Sequence, residues 1–246
     1  METINGEWYM KGCAADDPSR LKSAEDAAAL IQKIGFLPLF SNEIPGFSIE
    51  EHTLSADWWS ASPLLDPWDW RGPLARRPDL IYGKFFDRKA GFVSADWFPV
   101  FANYRRNGFD FDTLIDEGLA PLRAQKLMRP FLTDGEPNDA SLQSFVLKEL
   151  AGFGKGGEKN FEGVLTDLEM QSYLCIADFR QRLNKHGQPY GWHIAVLETP
   201  ENKLGSAGIS AAYREKPTLS RDRISSQLRR FFPDATDEQL QRLLDV

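Results

Sequence analysis

Residues 161–197 constrain the fold of this chain more than any other stretch. Apolar residues recur at intervals of three and four over 161–171, which predicts an amphipathic helix. Residues 173–179 and 190–197 alternate between apolar and polar side chains, which predicts two half-buried strands. The turn between these strands is marked by Asn184, Gly187 and Pro189. A helix followed by a strand, a polar turn and a returning strand is the order of a winged helix, a recurrent nucleic-acid-binding arrangement.

The length of the chain, 246 residues, suits one large domain or two small ones. Its 42% hydrophobic and 26% charged residues are typical of a globular protein and exclude a disordered or fibrous one. We predict a mixed α/β, mainly helical fold, in which a C-terminal winged helix packs with a second, degenerate winged-helix-like unit. The predicted segments are an N-terminal arm (1–22), a helix plus hairpin that forms the degenerate unit (23–108), the winged-helix unit (109–205) and the C-terminal helices (206–246).

Several local signals place individual elements. The run SAEDAAALIQKIG predicts a helix that is capped by Ser23 and ends at Gly35. Residues 80–94 predict a β-hairpin around a polar turn, and a further helix is expected to begin at Asp139 and to run to Leu150. The glycine-rich GFGKGGEKN that follows lacks the spacing and the preceding strand of a phosphate-binding loop, so we interpret it as a flexible turn.

Membrane segments, metal sites and redox sites are not predicted. No stretch approaches the roughly 20 apolar residues that cross a bilayer, and the N-terminal residues lack the pattern of a secretion signal, so we expect a cytoplasmic protein. Cys13 and Cys175 lie outside any zinc-binding spacing and are interpreted as small packed side chains. The three histidines, which also lack metal or triad spacing, are His52, His186 and His193. We expect no metal and no cofactor.

The charge of the chain is unevenly distributed. The net charge is −7 at pH 7, which by itself disfavours a polyanionic partner. Residues 180–230, however, carry ten basic and four acidic side chains, a local charge of +6 that leaves −13 for the rest. The competing interpretation of this segment is a solvated basic surface with ion pairs inside the chain. The candidates for contact with nucleic-acid phosphates are Arg180, Arg182, Lys185, Arg229 and Arg230.

The helix predicted over 161–171 has the wrong charge for a recognition helix. Phosphate repulsion would have to be overcome before such a helix contacted base edges. Nucleic-acid contact is therefore expected at the turn between the strands and at the C-terminal arginines. The charges in and just before the helix are Glu158, Glu162, Asp167 and Glu169 against Lys159.

A cluster of tryptophans lies in the proline-rich part of the N-terminal half, within Asp57-Trp58-Trp59 and Asp66-Pro67-Trp68-Asp69-Trp70. Aromatic faces beside carboxylates suit a flipped base or a sugar ring, and Asp57, Asp66 or Asp69 would then act as an acid or base. The competing interpretation is an aromatic core beneath an irregular loop, with the aspartates at turns and caps. The aromatic pocket predicted on the first interpretation consists of Trp58, Trp59, Trp68 and Trp70.

Two blocks of the sequence carry a family resemblance: PWDWRGPLARRPDLIYGKFFDRKAGFVSADWFP and LTDLEMQSYLCIADFRQRLNKHGQPYGWHIAV. Through them, residues 23–205 resemble a small bacterial family of winged-helix proteins related to the DNA-crosslink-repair glycosylases of the AlkZ/YcaQ type. The resemblance implies a role in DNA repair.

Glycosylases of that type position a water molecule with a Gln-apolar-Gln or Gln-apolar-Asp motif. The local match is Glu169-Met170-Gln171, with Glu169 in place of the first glutamine. The resemblance therefore implies Glu169 and Gln171 as a catalytic pair, in which the carboxylate acts as a general base or stabilises an oxocarbenium-like centre. The competing interpretation makes Glu169 a solvated residue beside a packed Met170.

These observations support three hypotheses. The first is a DNA-binding winged-helix protein related to the repair glycosylases, with catalysis left open. The second is a protein-interaction or regulatory winged-helix module that does not bind DNA, which the net negative charge favours. The third is an active DNA glycosylase, a hydrolase of N-glycosidic bonds that acts on alkylated bases. The expected partner is double-stranded DNA or another protein, no membrane association is expected, and the oligomeric state is left open.

Overall fold

The computed structural model describes residues 2–4, 7–134 and 136–245. Residues 1, 5 and 6 of the predicted N-terminal arm therefore lie outside the described residues. Within the described part, helical residues outnumber strand residues, and the fold is mixed α/β and mainly helical, as predicted. None of the helices in these ranges is long and apolar enough to cross a membrane.

The chain divides into two units: unit 1 combines residues 1–98 with 221–245, and unit 2 consists of residues 99–220. Strand β5 of unit 1 pairs antiparallel with both β3 and β4. The elements of unit 1 are β1 (Glu2–Ile4), β2 (Glu7–Tyr9), α1 (Ala24–Ile34), β3 (Phe36–Pro38), α2 (Pro67–Arg76), β4 (Leu80–Phe86), β5 (Lys89–Ser94), the part of α10 (Pro217–Phe231) from Arg221 onward, and α11 (Asp237–Leu244).

Helix α1 forms where its capping residues predict it. The Ser23 side chain accepts a hydrogen bond from the Asp26 backbone amide at 3.1 Å, which satisfies one donor of the first turn. Gly35 ends the helix with a φ of 96°, in the left-handed region that favours glycine. The buried face of the helix consists of Ala27, Ala28, Ile31 and Ile34.

Replacing Gly35 by alanine is expected to destabilise unit 1 by roughly 3 kcal/mol, because a strained φ and an overpacked contact are combined. A Cβ atom at Gly35 would lie 2.5 Å from Cδ1 of Trp97. Gly46 is the matched control, since its φ is also positive but a methyl group added there would lie 4.0 Å from its nearest neighbour, an atom of Phe232. Urea unfolding of Gly35→Ala and Gly46→Ala measures the difference. Equal losses in the two variants would show that the Trp97 contact does not matter.

The hairpin predicted over residues 80–94 is confirmed as β4 and β5. Its turn residues Asp87 and Arg88 have φ values of 47° and 60°, as a tight two-residue hairpin requires. Aromatic side chains from β3, β4 and β5 are fully buried in the core of unit 1, which agrees with the many phenylalanines in the chain. They include Phe36, Phe85, Phe86 and Phe92.

In unit 2, strand β10 pairs antiparallel with both β8 and β9. The elements of unit 2 are α3 (Phe98–Arg105) from its second residue, α4 (Phe111–Asp116), α5 (Leu122–Met128), β6 (Leu132–Thr133), β7 (Glu136–Pro137), β8 (Leu142–Gln143), α6 (Ser144–Leu150), α7 (Phe161–Met170), β9 (Cys175–Leu183), β10 (Pro189–Glu198), α8 (Pro200–Leu204), α9 (Ser206–Ser210) and the first residues of α10.

The helix expected from Asp139 begins later than predicted, at Ser144. Leu142 and Gln143 instead form β8, where they pair with Leu197 and Val196. This pairing joins residues more than fifty positions apart, so helical periodicity could not reveal it. Helices α8 and α9 were not predicted either, because their stretch of the sequence has no helical periodicity.

Candidate nucleic-acid interface

The hairpin of β9 and β10 is buried at its base and exposed at its tip. Its strands pair from Cys175 opposite Glu198 to Leu183 opposite Pro189. At the base, Cys175 is fully buried, and burial raises the pKa of its thiol well above the ordinary value. At the tip, the Asn184 side chain accepts hydrogen bonds from the backbone amides of His186 and Gln188 at 2.8 and 3.1 Å. The outer half of the hairpin is thus an ordered element surrounded by solvent.

Three predicted phosphate contacts lie together on this outer half. The side chain of Arg180 is 62% exposed and forms a 3.0 Å ion pair with Asp178. The Asp178 carboxylate partly offsets the positive charge of Arg180. The Arg182 guanidinium lies 4.6 Å from the centre of the Phe145 ring, a distance suited to a cation–π contact. Lys185 is exposed in the turn itself. The structure therefore brings these three cations onto one projecting element.

A β-bulge in the same hairpin presents Trp192 to solvent. Tyr190 pairs with Arg182 and Ile194 pairs with Arg180, so three residues of β10 lie opposite one residue of β9. Gly191 has a φ of 72° within this bulge, and Trp192 is 86% exposed. Bulges often redirect a side chain at a functional surface. The sequence signal for this bulge is a glycine beside a tryptophan inside a predicted strand.

Helix α7 is amphipathic, as predicted from its spacing. Phe161, Leu165 and Leu168 are buried, whereas Glu162 and Asp167 are exposed. The exposed face of the helix is therefore acidic. An acidic face repels phosphates, so α7 is not suited to enter a groove of DNA.

The proposed catalytic pair does not converge in the structure. Glu169 is 1% exposed in the interior of unit 2, where the guanidinium of Arg105 donates a 3.1 Å hydrogen bond to the neighbouring Met170 carbonyl. Gln171 lines a different place, a cleft of about 540 Å³ that also borders Asp167. Glu169 is not among the described residues that line this cleft, so the cleft does not bring the two side chains to a common water.

Three of the four predicted pocket tryptophans lie together in unit 1. The ring centres of Trp58 and Trp59 are 6.0 Å apart, and those of Trp59 and Trp68 are 6.2 Å apart. Trp59 is 47% exposed and has a positive φ of 55°. Trp70 is buried and donates its indole N–H to the Leu64 carbonyl at 2.9 Å.

Two of the three aspartates beside these tryptophans have structural partners, whereas Asp69 is exposed. Asp66 is buried and caps α2 by accepting from the Trp68 amide at 2.8 Å, and its burial raises its pKa. Asp57 forms a 3.2 Å ion pair with Arg20. These contacts match the interpretation in which the aspartates hold turns and caps.

The C-terminal arginines of α10 lie in unit 1. Arg229 forms an ion pair with Asp237, and Arg230 donates to the Gln227 side chain at 3.2 Å. Both arginines are exposed. Because Arg229 is partly neutralised by Asp237, it is the weaker of the two phosphate candidates.

A buried arginine in unit 2 was missed by the sequence analysis. Arg106 is 3% exposed and forms an ion pair with Glu201. It also donates to the Ser172 carbonyl at 2.6 Å and to the Tyr213 hydroxyl at 2.8 Å. Burial by itself lowers the pKa of Arg106, but the charge of Glu201, its hydrogen bond with Arg106 and the nearby Tyr213 and Tyr173 together raise the pKa above its ordinary value. These partners lie 66 to 107 positions away along the chain, so no local pattern indicated them.

Comparison with known proteins places the chain in a family. A family model described as AlkZ related matches residues 21–245, nearly the full sequence. Searches of curated proteins and of solved structures found no significant match. The match confirms the resemblance carried by the two sequence blocks. The chain belongs to the AlkZ-related family.

Proposed function

We propose that this protein binds double-stranded DNA through the hairpin of β9 and β10. The observation that carries the proposal is the projecting outer half of this hairpin, where Arg180, Arg182 and Lys185 lie together with the exposed Trp192. Cations on an ordered projection suit phosphate contact, and exposed tryptophans suit contact with bases or sugars. Membership of a family related to DNA-repair glycosylases supports a DNA-associated role.

The proposed fold of unit 2 is a winged helix, in which the hairpin is the wing. Two features support it. After α5 and the short strands β6 and β7, the elements occur in the order β8, α6, α7, β9 and β10, that is, a strand, two helices and a hairpin. The strand order β8–β10–β9 places the last strand between the other two. On this proposal, residues 109–205 are the winged-helix unit and 206–246 are C-terminal helices.

Unit 1 has a comparable order, which supports a degenerate winged-helix-like unit over residues 23–108. Helix α1, strand β3, helix α2 and the hairpin of β4 and β5 follow one another, and the strand order is β3–β5–β4. The last strand again lies in the middle. The turn of this hairpin has only two residues, so it offers far less projecting surface than β9 and β10.

The proposal is tested by fluorescence anisotropy with a labelled duplex. With three phosphate contacts, the logarithm of the binding constant should fall with the logarithm of salt concentration at a slope of about −2.7. Between about 50 and about 200 mM salt, binding should then weaken roughly 40-fold. Absence of binding at low salt would refute the proposal.

A second candidate function is recognition of another protein. The exposed face of α7 is acidic, and the hairpin exposes Leu183, Tyr190 and Trp192 at 65%, 49% and 86%. Exposed aromatic residues commonly anchor protein interfaces. On this alternative, the wild-type protein fails to bind the duplex at every salt concentration, whereas the DNA-binding proposal requires binding at low salt.

Catalysis by Glu169 and Gln171 is not part of the proposal. A general base must reach the water that it activates. Glu169 is buried and Gln171 faces the cleft beside Asp167. If the wild type released alkylated bases from DNA and Glu169→Gln did not, the protein would also be a glycosylase that depends on Glu169.

A further inference from the structure

Unit 2 contains a cavity of about 190 Å³ that the proposed DNA contact does not use. Its apolar walls include Phe111, Met128 and Ile209, and its aromatic walls include Tyr173 and Tyr213. The rings of Phe111 and Tyr173 meet edge to face, with centres 5.1 Å apart. A cavity of about 150 Å³ with apolar walls holds a benzene molecule, so this one has room for a single substituted ring.

The rigid floor of the cavity comes from the buried arginine network. Glu201 and Tyr213 both line the cavity. The Arg106 guanidinium forms an ion pair with Glu201 and donates a hydrogen bond to the Tyr213 hydroxyl. Tyr173 is held in turn by the hydrogen bond from its hydroxyl to the Phe109 carbonyl at 2.9 Å. A pocket whose polar groups are already fixed loses little conformational freedom on binding a ligand.

The charges that line the cavity are negative. Asp110 and Asp112 lie at the start of α4, Glu201 lies on the floor, and the described lining contains no arginine or lysine. Burial raises the pKa of Tyr213, and the charges of Glu201 and Asp110 contribute in the same direction, so this hydroxyl stays neutral at physiological pH. Arg106 compensates Glu201, which leaves the two aspartates of α4 to attract a cation. An anionic ligand would be repelled.

We propose that this cavity binds a small planar organic cation, namely one aromatic ring that carries an amidinium, guanidinium or similar protonated nitrogen group. The ring fills the space between the aromatic walls, and the N–H donors face the carboxylates of Asp110 and Asp112. Charged N–H donors form strong, short hydrogen bonds with carboxylates. The site is separate from the hairpin cations, so it can exist whether or not the protein binds DNA.

The test uses benzamidine as the probe and isothermal titration calorimetry of the full chain. Benzamidine is expected to bind with a dissociation constant on the order of 1 mM, as suits a ligand of this size. Benzamide, its neutral isostere, should bind about tenfold more weakly because it lacks the charge. Failure of benzamidine to bind, or equal binding of benzamide, would overturn the proposal.

Variants locate the binding site. Asp112→Asn should weaken benzamidine binding about tenfold, because one of the facing carboxylates is lost. Asp116→Asn is the matched control, since Asp116 is an exposed aspartate of the same helix outside the cavity lining, and it should leave binding unchanged. Ser210→Trp, at an exposed lining position, should block the cavity without disturbing the core. Undiminished binding by Ser210→Trp, or equal effects of the two aspartate variants, would contradict the assignment.

Discussion

Replacing Arg106 by alanine is expected to lower the free energy of unfolding by roughly 3–5 kcal/mol, the usual loss when one partner of a buried ion pair is removed. The side chains of Arg106 and Glu201 are 1% and 11% exposed. Without Arg106, the Glu201 carboxylate loses its ion-pair partner in a poorly solvated site, and the Ser172 carbonyl and Tyr213 hydroxyl lose this donor. Urea unfolding measures the effect.

Arg123→Ala is the matched control for this prediction. Arg123 also pairs with a glutamate, Glu158, at 3.0 Å, but its side chain is 51% exposed. An exposed pair contributes about 1 kcal/mol or less, because water solvates the remaining charge. If the two arginine variants lost the same small amount of stability, Arg106 would not have the central structural role that its contacts indicate.

Reversing the charge of Arg180, Arg182 and Lys185 together is expected to weaken duplex binding at low salt by roughly 100-fold or more, since three phosphate contacts become three repulsive ones. The three residues are on the exposed hairpin, so the fold should be preserved. The loss should be similar for all DNA sequences, because phosphate contacts do not distinguish bases. Anisotropy titration of the triple glutamate variant measures the loss.

The control for the triple variant carries the same change in net charge elsewhere. Lys22, Lys33 and Lys89 are exposed in unit 1, and their joint replacement by glutamate also lowers the net charge by six. Its effect on binding should be several times smaller than that of the hairpin variant. If the two triple variants weakened binding equally, overall charge rather than the hairpin would determine affinity.

The elements that the sequence predicted well are those with local causes. Helix α1 follows from its cap at Ser23 and its stop at Gly35, and α7 follows from its apolar spacing. The strands on either side of the Asn184 turn follow from alternation and turn residues. Strand β8 depends on pairing with β10, which no local pattern encodes, and a helix was predicted there instead.

The positive charge of the candidate interface could be predicted from the sequence, but the exposure of its tryptophan and the long-range contacts of Arg106 could not. The cations at 180, 182 and 185 were visible in the sequence as a local excess of positive charge. The exposure of Trp192 depends on a bulge, which requires the register between two strands to be known. The Arg106 network depends on partners such as Tyr213, 107 positions away, and only the folded chain brings them together.

Hydrogen–deuterium exchange with and without duplex DNA shows which backbone segments the DNA protects. DNA is expected to slow exchange in the outer part of β9 and β10, around residues 180–193, and to leave exchange in the acidic helix α7 (Phe161–Met170) unchanged. Protection of α7 without protection of the hairpin, or no protection at a DNA concentration that saturates binding, would contradict DNA binding through this hairpin.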